Sequence, residues 1–299
     1  MATDFKAIVI DLDGTVMGPE AKVSDQTRRA VFRALEAGLE IIIATGRTAS
    51  ESAAALKAVE HQGLVISAGG ALLTDSAGRT LDRIVLQPEQ VELIANLLIP
   101  AQHKVLLLKD ASRTGYDYLA VGDATLDPVT EWWFDHLAMS CQYRRRLDDD
   151  PHPEHSIRAG AVSAHQTLAE VAEILCREYS DQLEILFWPA VTPEGDQQAN
   201  RKKIGRVQLL EVFAKGVSKW VMLERIMLSR SWDASQVAAI GDGLNDIDLL
   251  KNVGMGIAMG NADEHVKDAA DHVTNDHRHD GVAQAIDQIL AGKLTSGSA

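Results

Sequence analysis

Cysteine is nearly absent. Cys141 and Cys176 are the two in 299 residues, and neither stands in a Cys-x-x-Cys or other metal-ligand spacing. That excludes a disulfide framework or a thiolate metal centre as the organising device, and it suits free thiols in a reducing compartment. Aromatic residues make up only 5% of the chain, so Leu, Ile, Val and Ala must fill the core. Basic residues are in deficit: 29 Lys and Arg stand against 43 Asp and Glu, for a net charge of -14. A field of that sign repels polyanions and weakens counterion release, so neither nucleic acid nor an anionic membrane surface is an expected partner. No apolar run approaches the ~18 residues of a spanning helix, and the start of the chain lacks a basic stretch followed by a long apolar one. The expectation is a cytoplasmic protein that does not enter membranes. An anionic ligand would have to be held by a few local groups or a metal, against the global field.

What the sequence does contain is alternation. In the first third, "AIVIDL", "LEIIIATG" and "LVISAGG" read as buried strands. Between them, "SDQTRRAVFRALEAG", with Ser24 as N-cap and Gly38 as stop, and "TASESAAALKAVE" read as helices. From about residue 84 the texture changes to helices such as "PEQVELIANLLI" and "TLAEVAEILCREY", interspersed with strands such as "KVLLLKD", "YDYLAVG", "SIRAGAVSA", "LEILFWPAV" and "RVQLLEVF". The charged, proline-interrupted "RRRLDDDPHPEH" reads as a solvated loop. Strand–helix alternation returns near residue 216, with "SKWVMLERIMLS", "QVAAIGDG", "NDIDLLKNV" and "GMGIAMG". The expected fold is α/β: a doubly wound, mainly parallel, Rossmann-like core sheet from residues 1–83 and 214–299, with an inserted α+β domain over 84–213.

Polar residues cluster at the expected C-terminal ends of the core strands, where such sheets hold their ligands. "IVIDLDGTVMG" places Asp11 and Asp13 two positions apart, so both carboxylates can face one centre if the extended geometry persists. "IIIATGR" ends in Thr45 and Gly46, a hydroxyl and an unobstructed N–H suited to an anion, although Thr45 is equally a helix N-cap. "GDGLNDIDLL" supplies Asp242, Asn245 and Asp246, an oxygen-donor set of the kind Mg²⁺ prefers. Lys219 opens a helix, the end where the dipole disfavours a cation. His277 and His279 could ligate a metal at i and i+2, or simply lie on an exposed loop.

In this order, Asp-x-Asp-Gly-Thr, Thr-Gly-Arg, a distant Lys and Gly-Asp-x-x-Asn-Asp, the chain resembles the haloacid dehalogenase-like superfamily, and its insertion resembles the type II cap of the Cof-type phosphatases. The resemblance implies Mg²⁺-dependent hydrolysis of a small phosphorylated metabolite, sugar phosphates foremost, with the cap closing during turnover. Asp11 would be the nucleophile and Asp13 the acid and base. Lys219 would be a fixed charge, Thr45, Gly46, Lys219 and Asn245 would bind the phosphoryl group, and Asp11, Asp13 (through its main-chain carbonyl), Asp242 and Asp246 would hold or surround the metal. A phosphohexose mutase, a more specialised sugar-phosphate phosphatase or a binding protein without turnover are the alternatives, and either a monomer or a homodimer is expected. Two positions depart from the family pattern: Gly69 stands where Asn is common, and Trp220 follows Lys219 where a small residue is frequent.

Overall fold

Runs of apolar, largely β-branched residues buried on both faces form the central strands, as expected where helices cover both sides of a parallel sheet. In the computed structural model, which describes residues 5–18, 22–190 and 207–295, these are β1 (Ala7–Asp11) and β2 (Glu40–Ala44), with α1 (Asp25–Glu36) between them and α2 (Ala49–Ala58) after. Ser24 caps α1 by accepting from the N–H of Thr27, and Thr48 and Glu51 close α2 with a reciprocal capping box. Then come β3 (Val65–Ser67), β4 (Leu72–Thr74) and β5 (Thr80–Arg83).

The second stretch comprises α3 (Pro88–Leu98), β6 (Val105–Lys109), α4 (Ala111–Thr114), β7 (Tyr118–Val121), α5 (Pro128–His136) and β8 (Cys141–Arg144). It continues with β9 (Ser156–Ser163), α6 (Gln166–Tyr179), β10 (Leu183–Pro189) and β11 (Gln208–Ala214). The chain returns with α7 (Lys219–Arg230), β12 (Val237–Gly241), α8 (Ile247–Asn252), β13 (Met255–Ala258), α9 (Glu264–Lys267), β14 (His272–Val273) and α10 (Gly281–Leu290).

Two compact units result, one from residues 1–82 with 218–299, the other from 83–217. The first is built on an eight-stranded sheet of order β14-β13-β12-β1-β2-β3-β4-β5, parallel from β14 through β3 and antiparallel between β3 and β4. The strand order reverses direction along the sequence at β1, so the crevice beyond the C-terminal ends of β1, β2 and β12 is the topological switch point. On one face Ile8, Ile10, Ile41, Ile43 and Ile240 pack against Val31 and Ala34 of α1 and Ile286 and Ile289 of α10. The alternate residues Val9, Ile42 and Ala239 are equally buried, which makes the sheet doubly wound.

The second unit carries a six-stranded sheet of order β10-β11-β9-β6-β7-β8, antiparallel except for β7 with β8. Val105, Leu107, Ala159, Ala161, Leu210 and Val212 face α3 and α6 and form its core with Ile94, Leu98, Leu168 and Leu175. Sequence periodicity misses β8 and α5, whose short segments carry mixed polarity. It also misplaces part of the charged stretch 144–155. Asp150 there is a buried partner of Lys109, not a solvated loop residue. Of the strands read from sequence, "LEILFWPAV" and "RVQLLEVF" extend at Val191 and Arg206 outside the described residues, as does most of the C-terminal tail.

Candidate active site

β1 delivers Asp11 to the switch point, and Gly14 turns the chain sharply away in a left-handed conformation (φ 79°). A Cβ on Gly14 would stand 2.2 Å from Asp242 Oδ2, so only glycine lets the loop after β1 approach the loop after β12 this closely. Thr15 donates its hydroxyl to Asp242 Oδ1 at 2.9 Å, and Asn261 Nδ2 donates to Asp242 Oδ2 and to the Gly14 carbonyl, both at 3.0 Å. Asp246 is locked from the other side: its Oδ2 accepts from the main-chain N–H groups of Asp242 and Gly243.

Lys219 is the first residue of α7, capped by Ser218. The start of that helix is pinned against the turn Ala68–Gly70, where a Cβ on Gly70 would meet the Ser218 carbonyl oxygen at 2.1 Å. The Lys219 side chain is completely buried, and its ammonium donates to Asp11 Oδ1 at 2.5 Å and Asp246 Oδ1 at 2.6 Å. Burial alone would pull the Lys219 pKa down, but the carboxylates of Asp11 and Asp246 outweigh it and hold the ammonium above its ordinary 10.5. This answers the poor dipole placement seen in the sequence, because two charged partners offset an unfavourable helix end.

Asp11, Asp242 and Asp246 each offer an oxygen within 4.8 Å of the others. The ammonium bonds two of these three carboxylates, so the cluster sets three acids against one buried cation. Burial acts on the same carboxylates. Asp11 is pushed well above its ordinary 3.8 by burial, with Asp246 and Asp242 adding to the effect. Asp242 rises for the same first reason, with Asp246 adding to it. An all-oxygen, surplus-anionic donor set at a strand terminus fits a hard divalent cation such as Mg²⁺.

The remaining candidates lie around this cluster without all joining it. Asp13 is outside the trio, and its half-exposed carboxylate is held by the Arg47 guanidinium, with Nε donating at 2.8 Å and Nη2 to the second oxygen. Thr45 is fully buried, its Oγ1 accepts from the N–H of Arg47, and its carbonyl accepts from the N–H of Gly69. Gly46 lies beside the exposed Asn245, whose Nδ2 would be 3.7 Å from a Cβ at that glycine. Gly69, at φ 66°, occupies the left-handed conformation that asparagine also tolerates. Trp220 is half-buried on α7. His277 and His279 diverge: His279 is exposed against Asp276, whereas both ring nitrogens of His277 are hidden from solvent.

Sequence reasoning overlooked Thr15 and Asn261, which orient Asp242. The signal was present for Asn261, since "MGNAD" is one more strand exit ending in a polar residue.

The model of one family, the haloacid dehalogenase-like hydrolases, matches residues 8–286. The chain belongs to that family. It is 27% identical over 283 residues to a 5-amino-6-(5-phospho-D-ribitylamino)uracil phosphatase of Bacillus subtilis, covering 95% of each chain. It is 28% identical over 282 residues to a pyridoxal phosphate phosphatase of Escherichia coli, covering 94% of this chain and 97% of that one. A crystal structure of a haloacid dehalogenase-like hydrolase from Bacteroides thetaiotaomicron superposes with a TM-score of 0.75 at 26% identity, over 95% of this chain and 99% of the other. Like the B. subtilis and E. coli phosphatases, this haloacid dehalogenase-like hydrolase is a phosphoric monoester hydrolase. No helix among the described residues is long and apolar enough to cross a membrane.

Proposed function

We propose that the protein is a Mg²⁺-dependent phosphatase of small phosphorylated metabolites, sugar and sugar-alcohol phosphates foremost, working through a phosphoryl group carried on Asp11. The observation that supports it is the convergence of Asp11, Asp242, Asp246 and Lys219 at the switch point of the sheet in a chain of this family. The B. subtilis relative acts on a phosphate borne by a ribityl chain, a sugar-alcohol ester, which motivates the substrate class.

Asp11 ends a rigid, fully paired strand, so its carboxylate meets phosphorus from a fixed direction, which lowers the entropic part of the barrier. Its attack divides one difficult displacement into two easier ones. Asp11, Asp242 and the main-chain carbonyl of Asp13, with Asp246 beside them, would hold Mg²⁺, which would supply charge neutralisation for the transferring phosphoryl oxygens. Lys219 has three N–H donors and gives two to Asp11 and Asp246. The third serves the phosphoryl group, alongside the Thr45 hydroxyl, the Gly46 N–H and Asn245. Asp13, the most exposed of the four aspartates, delivers a proton to the leaving alcohol and then takes one from the attacking water. The unit of residues 83–217 acts as the cap that selects the alcohol, in a cytoplasmic enzyme working as a monomer or homodimer.

Phosphate release tests this directly. The panel comprises 5-amino-6-(5-phospho-D-ribitylamino)uracil, pyridoxal phosphate and hexose phosphates, each with Mg²⁺ and with EDTA. Turnover that needs Mg²⁺ and is highest on the sugar and sugar-alcohol esters is the expected result. Equal turnover in EDTA, or none on any ester, defeats the reading.

A further inference from the structure

Asp13 and Arg47 stand just past the exits of neighbouring strands. β1 and β2 run parallel with Asp11 opposite Ala44, so the chain leaves the sheet side by side at the two places. There Arg47 Nε donates to Asp13 Oδ2 at 2.8 Å and Nη2 donates to Asp13 Oδ1, a fork that takes both oxygens. Each main chain is fixed by other means. Asp13 bridges Met17, with the Gly14 N–H donating to the Met17 carbonyl at 3.0 Å and the Met17 N–H to the Leu12 carbonyl at 2.8 Å. Arg47 donates its N–H to Thr45 Oγ1 at 3.1 Å, accepts on its carbonyl from the Ala68 N–H at 2.6 Å, and directly precedes Thr48, the N-cap of α2. Neither loop needs the ion pair to hold its course, and a pair whose partners are both partly open to water adds little to stability. What the fork does fix is the direction of a side chain. A half-exposed carboxylate on a turn otherwise samples several rotamers, and two parallel N–H···O bonds remove that freedom.

We propose that Arg47 is a positioning residue that holds the Asp13 carboxyl in one orientation for proton exchange, first with the ester oxygen and then with the attacking water. This rests on the reading of Asp13 as acid and base. As the bond from phosphorus to the ester oxygen breaks and the bond to Asp11 forms, that oxygen takes the Asp13 proton, and the water that later attacks phosphorus returns one. A proton on one Asp13 oxygen leaves the other to accept from the guanidinium, so the same fork steers both steps. Misplacing a reacting group by about 1 Å costs about 10²-fold in rate. Lysine, a point donor, cannot replace the planar fork.

Comparison of kcat/KM on two esters tests the proposal, because it covers the steps up to departure of the alcohol. A hexose 6-phosphate has a leaving oxygen that needs a proton, whereas p-nitrophenyl phosphate leaves as a stabilised phenolate. Arg47→Met is expected to lower kcat/KM on the hexose 6-phosphate about 10²-fold and on p-nitrophenyl phosphate far less, with little change in melting temperature. Arg47→Lys should fall with Arg47→Met. Asp13→Ala should show the same selectivity, and adding Arg47→Met to it should cost nothing further, since Arg47 acts through a group already gone. Equal losses on the two esters, losses that multiply in the double variant, or wild-type kcat/KM in Arg47→Met overturn the proposal, the first two by pointing to direct contact with the phosphoryl group. If Asp13→Ala shows no selectivity, the acid role of Asp13 falls and the proposal with it; if the folded wild type turns over neither ester, the phosphatase reading falls. Both are distinct from a failure confined to Arg47.

Discussion

Among the described residues each of the two units buries one lysine completely, and the two lysines behave oppositely. Lys109 in the second unit donates to Asp150 Oδ2 at 2.5 Å, to Ser156 Oγ at 2.8 Å and to the His152 carbonyl at 3.1 Å, so all three of its donors are used and one carboxylate matches its charge. There burial prevails and pulls the Lys109 pKa down, although Asp150 opposes it. Lys219 in the first unit faces two carboxylates, with a third beside them, and is held up. The same unit that buries Lys109 also buries Arg158 against Glu211, with Arg158 Nη2 donating to Tyr118 Oη at 2.6 Å. There too a buried cation meets a carboxylate directly. Matched and saturated charges define an interior, whereas unmatched charge with a donor left over defines a place where something binds. A buried pair by itself says little about function, because desolvation offsets most of its attraction.

The contrast breaks most sharply at Asp11. Asp11→Asn should lower kcat by about 10³-fold or more with unchanged circular dichroism, and a variant that retained wild-type turnover would reduce the cluster to a structural one. The two lysines come next. Lys109→Met should cost about 3–5 kcal/mol of stability in urea by leaving the buried Asp150 without its cationic partner. Lys219→Met should instead show its main effect as a fall of about 10²- to 10³-fold in kcat. Similar stability losses with similar turnover in both variants would erase the distinction between the units.

Divalent cation should stabilise the first unit. At a hundred times its dissociation constant, Mg²⁺ should add about 2.7 kcal/mol, read as a raised melting temperature that Asp242→Asn abolishes.

The smallest expected effect is a slope with pH. Asp11 titrates well above 3.8 in the folded protein, so across the window above 3.8 the native state keeps a proton that the unfolded chain has released. Its contribution to stability is therefore greatest in acid and is lost as pH rises through the native pKa, by at most about 1.4 kcal/mol per pH unit. Without metal, Asp11→Asn should show a shallower decline over that window in urea titrations at successive pH values. An identical decline in both proteins would mean that Asp11 is not the group responsible.

Much of this was legible in the chain itself. The parallel strands announced themselves because residues such as Ile41, Ile42 and Ile43 must be apolar on both faces, and Ser24 marked a helix start because a side-chain oxygen there satisfies a main-chain donor, whereas the cap of α2 is Thr48 and not Thr45. The second unit was harder to read. β8, with Cys141, Gln142, Tyr143 and Arg144, lies at a sheet edge and need not alternate strictly, and Asp150 looked solvated because nothing local reveals a partner 41 positions away. Within the site, the four aspartates and Lys219 were named from motif and strand exit. The engagement of Asp13 by Arg47 and the hidden nitrogens of His277 were not.

The sequence by itself determined the kinds of chemistry on hand: which carboxylates end which strands, which glycines permit close turns, and an acidic balance that demands a local cation for any anionic ligand. Only the tertiary structure decided the pairing, that Asp11 and Asp246 would share one ammonium beside Asp242 in the first unit while Lys109 met Asp150 and Arg158 met Glu211 in the second. Local patterning follows from hydrophobic period and backbone capping, which act over a few residues. Charge balance in an interior depends on which distant segments desolvate one another, and that is settled only when the sheet brings residues 11, 219, 242 and 246 together.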